Sequence, residues 1–283
     1  MKITILPLPY LLAIALVIPN WTQAENPPFT PAFYPFQNGM TFETTEQGAQ
    51  LLKKLGYDGI GAVYGKDLTK YLKAYNKAEL KIFSIYVGGK LEPNGHSYDP
   101  VISEAITNLK GSQTIVELYV RKGKKSTDEQ AIAFVREISD QAKASGLRVA
   151  LYPHTGFHIA TASDALRIAK ASGRDNVGVA FNLCHFLKVE PLSDLRKTLE
   201  MIRPKLWSVS TCGADARGTS WQQLIRPLDE GTFDQASLLR HLREIDYKGP
   251  VGLQCYAIKI SPNENLNRSI IAWKKILAAS QQE

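Results

Sequence analysis

LRVALYPHTGFHIATASDALRIAKASGRDNVGVAFNLCH, residues 147–185, carries the pattern that decides the fold. It opens on an apolar run, Leu147 to Tyr152, of strand length. Thr161 and Asp164 then form an acidic capping box, which opens a helix to about Ala171. A second apolar run, Val177 to Phe181, continues into Asn182. Continuous apolar strands with a helix between them fit a parallel sheet covered on both faces.

The same unit recurs in both directions. Toward the N-terminus, strands are expected at Phe33 to Gln37, Asp58 to Tyr64, Leu80 to Val87 and Thr114 to Val120. Thr44 with Gln47, and Ser126 with Glu129, read as capping boxes. A Gly/Pro/Asn-rich excursion, Gly88 to Pro100, interrupts the third unit. Toward the C-terminus, strands are expected at Leu206 to Thr211 and Val251 to Tyr256. Helices are expected at Leu192 to Ile202, Phe233 to Ile245 and Leu266 to Ala279. Eight strand–helix units predict an α/β fold, the (β/α)8 TIM barrel, as a single domain over 25–283. An open Rossmann sheet is the rival, but no GxGxxG follows the first strand.

Residues 1–24 read as a signal peptide. Lys2 supplies the positive start, Ile3 to Ile18 is almost wholly apolar, and Thr22-Gln23-Ala24 is a small-residue cleavage site. The apolar core is short and broken by Pro7, Pro9 and Pro19, so no stable membrane span is expected after cleavage. The expected location is periplasmic or secreted.

The 283 residues are 44% hydrophobic and 22% charged, ordinary for a globular protein. The net charge of +7 is scattered except for Arg121 to Lys125, which reads as a solvated loop or an anion contact. No zinc finger, RNA-binding sheet signature or basic helix is present, so no nucleic-acid partner is expected. Three widely spaced cysteines, Cys184, Cys212 and Cys255, exclude a disulfide scaffold but leave one bridge open.

A barrel of this kind places reacting groups where strands end. The strand ends offer Asn38, Tyr64, Tyr86, Tyr119, Tyr152, Asn182, Asp215, Arg217, Gln254, Tyr256 and Lys259 as binding groups. The amides suit sugar hydroxyls, and the tyrosines give apolar faces with polar tips. His154 and His185, on loops after the fifth and sixth strands, are the acid/base candidates. Glu117, inside the fourth strand, is read as a buried base or as the partner of a nearby Arg or Lys. Asp215 and Arg217 are read as a loop salt bridge or a ligand contact.

Several segments resemble the xylose isomerase-like TIM barrels. They are LYPH (151–154), VAFNLCH (179–185), GAD (213–215), PLDEG (227–231) and YKGPVGLQ (247–254). That family includes sugar phosphate isomerases/epimerases and the AP endonuclease family 2 enzymes. The resemblance implies a divalent metal held by Glu, Asp, His, His and Glu at strand ends. Those positions fall at Tyr152, Asn182, His185, Ser210 or Cys212, and Gln254, so Mn or Mg finds no carboxylate there. Zn on His154, His185 and Cys212 stays open.

The resemblance implies a sugar isomerase or epimerase that abstracts a proton next to a carbonyl, with a small-molecule carbohydrate as ligand. Export points to an unphosphorylated substrate. The alternatives are a non-catalytic carbohydrate-binding barrel, a sugar lyase and, weakest, an AP endonuclease. Oligomeric state is not legible.

Overall fold

The computed structural model describes Met1 and residues 29–282; the expected signal peptide lies outside the described residues. Eight parallel strand positions follow one another round a ring. They are β1 (Phe33–Pro35), β2 (Gly59–Ile60 and Val63–Tyr64), β3 (Lys81–Ile82 and Ser84–Glu92) and β4 (Ile115–Arg121). β5 (Arg148–Leu151), β6 (Val177–Asn182), β7 (Leu206–Thr211) and β8 (Val251–Leu253) complete it. Each pairs with the next in sequence, and β8 pairs with β1 through Phe33↔Val251 and Pro35↔Leu253. The β1–β2 seam is a single bridge, Phe36↔Gly61. It is thin for a local reason: Pro35 has no N–H to give, and Ala62 turns left-handed at φ 48. Gly61 is required there, because a Cβ would overlap the Tyr34 ring. The sheet is closed, and the open-sheet alternative is excluded.

The strand period of two sorts side chains onto two faces. Val116, Leu118 and Val120 of β4 face outward into the main core with the helices. Ile115, with Tyr34, Phe36, Ala150, Tyr152 and Ala180, fills a second cluster inside the barrel. Helices α1 (Thr45–Leu55), α2 (Leu68–Lys77), α3 (Val101–Asn108), α4 (Asp128–Ala144) and α5 (Ala162–Ser172) wrap the first five strands. α6 (Leu183–Val189) and α7 (Leu195–Ile202) follow β6, α8 (Trp221–Leu224) and α9 (Gln235–Glu244) follow β7, and α10 (Pro262–Gln281) follows β8. Among the described residues, no helix is long and apolar enough to cross a membrane.

Capping boxes at Thr44/Gln47 and Thr161/Asp164 are present. The third box is shifted by one residue: Thr127 caps α4 with Gln130, not Ser126 with Glu129. The Gly88 to Pro100 excursion is a β-hairpin, in which Ser84–Glu92 turns back against Gly95–Tyr98. Its glycines are there for close approach, since a Cβ on Gly88 would meet the Tyr119 ring. α6 replaces an expected loop. The three cysteines are free and buried.

Candidate active site

Tyr152 follows β5 and is buried at the barrel mouth. The chain then turns through Pro153 to Ala160, held by His154 N–H to the Ile159 carbonyl at 3.0 Å. Next along the ring, Asn182 ends β6 and caps α6: its Oδ1 accepts from His185 N–H at 3.4 Å and from the Cys184 thiol at 3.0 Å. Its Nδ2 donates to the Tyr152 hydroxyl. This cap sets His185 on the first turn of α6, with its ring 4.2 Å from that of His154.

Thr155 ties the two imidazoles together. His154 Nδ1 lies 3.0 Å from the Thr155 carbonyl, which can only accept, so Nδ1 carries the proton. His185 Nδ1 lies 3.3 Å from the Thr155 N–H, which can only donate, and 3.1 Å from its hydroxyl. That nitrogen is therefore the acceptor, and the His185 proton sits on Nε2. The assignment rests on these partners. His154 Nε2 is a bare lone pair and His185 Nε2 an N–H donor, each without a partner among the described residues. Burial lowers both rings' pKa values. His185, 6% exposed, falls to about 3, with the neighbouring His154 as the second cause. For His154, burial lowers the value most, its bond to Thr155 raises it and the Arg121 charge lowers it.

Aromatic rings form an arc round the mouth. Tyr64 meets Tyr86 at 6.4 Å, Tyr86 meets Tyr119 at 4.7 Å, and Tyr119 meets Phe157 at 5.7 Å. Phe157 stacks on His154 at 3.9 Å, and His185 meets Trp221 of α8 edge-on at 5.3 Å. Tyr152 stands between Tyr86 and His185, at 5.0 and 6.0 Å. On the far side, Gln254 is 4% exposed and its Oε1 accepts from Tyr256 N–H at 3.1 Å. Tyr256 itself is 57% exposed. It still lies close enough to Tyr64 to add to the burial that raises the Tyr64 pKa. Ser210, in register with Asn182, keeps a buried hydroxyl with no partner among the described residues, as does the Asn38 side-chain oxygen.

Other expectations are redistributed. Glu117 points into the barrel interior, not the rim, and is 1% exposed. It pairs with no Arg or Lys among the described residues: Ser84 donates to one carboxyl oxygen at 3.1 Å and Ser208 to the other at 2.9 Å. Burial lifts its pKa to about 7 against those two bonds. Asp215 pairs with Arg226 at 2.8 Å, not with Arg217. Arg217 and Lys259 are exposed and have no carboxylate partner among the described residues. His158 binds Asp128 at 3.0 Å. Cys212 is buried and its thiol donates to the Leu224 carbonyl at 3.2 Å, so it does not join the two histidines.

Residues that sequence reasoning missed are Thr155, Phe157 and Trp221, whereas Gln37 was expected at the end of the first strand. Gln37 donates to Asp67 at 2.8 Å and accepts from Tyr64 N–H at 2.7 Å, bracing the first wall. Thr155 had one signal, its place immediately after His154. Trp221 sits in a polar stretch, where a large aromatic residue must bury against something.

A family model described as xylose isomerase-like TIM barrel matches residues 105–276. An inosose isomerase of Bacillus velezensis is 30% identical over 174 residues, covering 53% of this chain. The match spans 62% of that relative's length. The crystal structure of the 3-keto-D-glucoside 4-epimerase YcjR from E. coli superposes with a TM-score of 0.68 at 18% identity, covering 87% of this chain and 99% of that one. The structure of IOLI protein with a bound zinc atom gives 0.68 at 17% identity, covering 87% and 98%. At that identity the two structures speak for the fold. With the family match over most of the barrel, the chain belongs to the xylose isomerase-like TIM barrel family.

Proposed function

We propose that this protein is an exported sugar isomerase or epimerase that moves a proton next to the carbonyl of an unphosphorylated sugar or sugar derivative. The observation that carries the reading is the pair of opposed tautomers set by Thr155. A base needs a free lone pair, and His154 Nε2 has one. A developing enolate oxygen needs a donor that does not itself titrate away, and the neutral His185 Nε2–H provides it. A neutral imidazole polarises the substrate carbonyl in triosephosphate isomerase by the same logic. His154 takes the proton from the carbon beside the carbonyl while His185 donates to the carbonyl oxygen. Return of the proton to the opposite face gives an epimer, and return to the neighbouring carbon, with the hydroxyl proton passing from one enediolate oxygen to the other, gives an isomer. The inosose isomerase and 3-keto-glucoside epimerase relatives are consistent with this chemistry.

The residues at the family's metal positions do not fit a hard divalent cation. Tyr152, Asn182 and Gln254 offer neutral oxygens, and those of Asn182 and Gln254 already accept protein hydrogen bonds. Among the described residues, no three His, Cys, Asp or Glu side chains are grouped to hold a metal ion. Zinc on His154, His185 and Cys212 is disfavoured by the bond from the Cys212 thiol to Leu224. No step here runs through a metal. The changed donor set equally favours a second reading, a barrel that binds sugar without turning it over.

Incubation in heavy water with a panel of unphosphorylated aldoses, ketoses and keto-glycosides, followed by proton NMR, separates the two. Wash-out of a proton next to the carbonyl is expected, slowed about 10²–10⁴-fold by His154→Gln. Sugar binding without exchange would leave the second reading standing and remove the first.

A further inference from the structure

The basic run from Arg121 to Lys125 has no part in the proton transfer, yet its first member lies on the aromatic wall. Arg121 ends β4, and its guanidinium sits 5.1 Å from the Tyr119 ring and 5.5 Å from the Phe157 ring. Both rings belong to the arc that leads to His154. The Arg121 charge reaches the site, since it contributes to lowering the pKa of His154.

Several other charges near the mouth are held by partners, while Arg217 and Lys259 are exposed without a carboxylate partner among the described residues. Asp67 pairs with Lys70 at 2.9 Å, Asp215 with Arg226 at 2.8 Å, and Lys188 donates to the Thr219 carbonyl. Among the described residues, no carboxylate lies within 4.0 Å of Arg121. Nor do Lys122, Lys124 and Lys125 have an aromatic or carboxylate partner among them. Set over two aromatic rings, the guanidinium keeps its fork of donors free for an anion.

We infer that Arg121 receives the carboxylate of an acidic sugar, a uronate whose ring lies against Tyr119 and Phe157. The inference rests on the sugar reading of the rim and names the substrate class for it. Arg121 is separated from His185 by Phe157 and His154 along the arc, so it anchors a substituent and not the reacting carbonyl. A carboxylate is the planar anion that one guanidinium fork holds in two parallel bonds; a phosphate, the other anion such a fork holds, is the competing arm of the test.

The test is calorimetric titration of matched sets: methyl hexuronides, the corresponding neutral methyl hexosides, and hexose 6-phosphates. The uronide is expected to bind about tenfold tighter than its neutral partner, the scale of one charge-assisted pair. Raising the salt should shrink that ratio, because Arg121 is exposed. Arg121→Gln should bring the ratio close to one, Arg121→Lys should keep part of it, and Lys124→Gln should keep all of it. Equal affinities in the wild type, a ratio that survives Arg121→Gln, or a phosphate that binds tighter than the uronide would each overturn the assignment. If no sugar of any kind binds, the rim is not a sugar site, and both readings fall together. Binding of the neutral sugars without a uronide preference removes this inference alone.

Discussion

The barrel interior and the barrel mouth each bury a titratable group, and burial drives the two in opposite directions. In the interior, Glu117 rises from 4.5 to about 7. At the mouth, His185 falls from 6.5 to about 3. The physics is the same, since a low-dielectric site disfavours whichever form is charged. The surroundings differ in purpose. Glu117 is enclosed by two serine hydroxyls and the barrel's inner apolar cluster, so its neutrality serves packing. His185 has one nitrogen bound by Thr155 and the other left open beside His154, so its neutrality serves chemistry.

This contrast predicts a pH profile. Between pH 3 and 6.5 the unfolded chain carries a proton on His185 that the folded chain does not, so stability rises with pH. Between pH 4.5 and 7 the folded chain carries a proton on Glu117 that the unfolded chain does not, so stability falls with pH. The two slopes cancel from 4.5 to 6.5. The largest expected effect comes from His185→Gln, which removes the rising limb, worth on the order of 5 kcal/mol across its whole span. Chemical denaturation at a series of pH values should then show stability falling steadily from about pH 4.5 to 7. A variant that keeps the wild-type plateau would mean that His185 is not held neutral.

Glu117→Gln should break the other half. The amide imitates the protonated acid, with one donor and one acceptor end for Ser84 and Ser208. At pH 8 the wild type bears a buried carboxylate that the variant lacks, so the variant should be more stable by about 3 kcal/mol. Below pH 4.5 the two should melt alike. If the variant is no more stable at pH 8, the carboxylate is better solvated than its enclosure implies.

Much of the interior was legible. The alternation Ile115, Glu117, Tyr119 against Val116, Leu118, Val120 already assigns Glu117 to one face of β4. What sequence cannot give is which face is the inside of a ring, because both faces of this strand are apolar apart from Glu117. The mouth was legible only as a set of strand ends. That His154 and His185 share the rim follows from barrel geometry; that they face each other depends on α6. That helix is short and buried along its first turn, so it leaves no amphipathic period to read. Asn182 gives its start away in retrospect, as a capping residue three places before His185. The β-hairpin was hidden for a different reason. Glycines at 88 and 89 look like a loop, and only the packed Tyr119 and Phe134 rings show that they belong to a strand.

The smallest expected effect bears most directly on how the mouth differs from the interior. Thr155 holds His185 by both its N–H and its hydroxyl, whereas Glu117 is held by side chains alone. Thr155→Val removes the hydroxyl and keeps the backbone donor. One hydrogen bond to a neutral ring is worth about 1 kcal/mol net, so the melting temperature should drop by only a few degrees. The tautomer, however, should persist, because a backbone N–H cannot rotate away or reverse its polarity as a hydroxyl can. Nitrogen NMR of the labelled variant should therefore still find the His185 proton on Nε2, and proton exchange on the substrate should fall only a few-fold. A proton moved to Nδ1 would show that the hydroxyl, not the main chain, orients the electrophile, and exchange should then collapse as far as it does in His154→Gln.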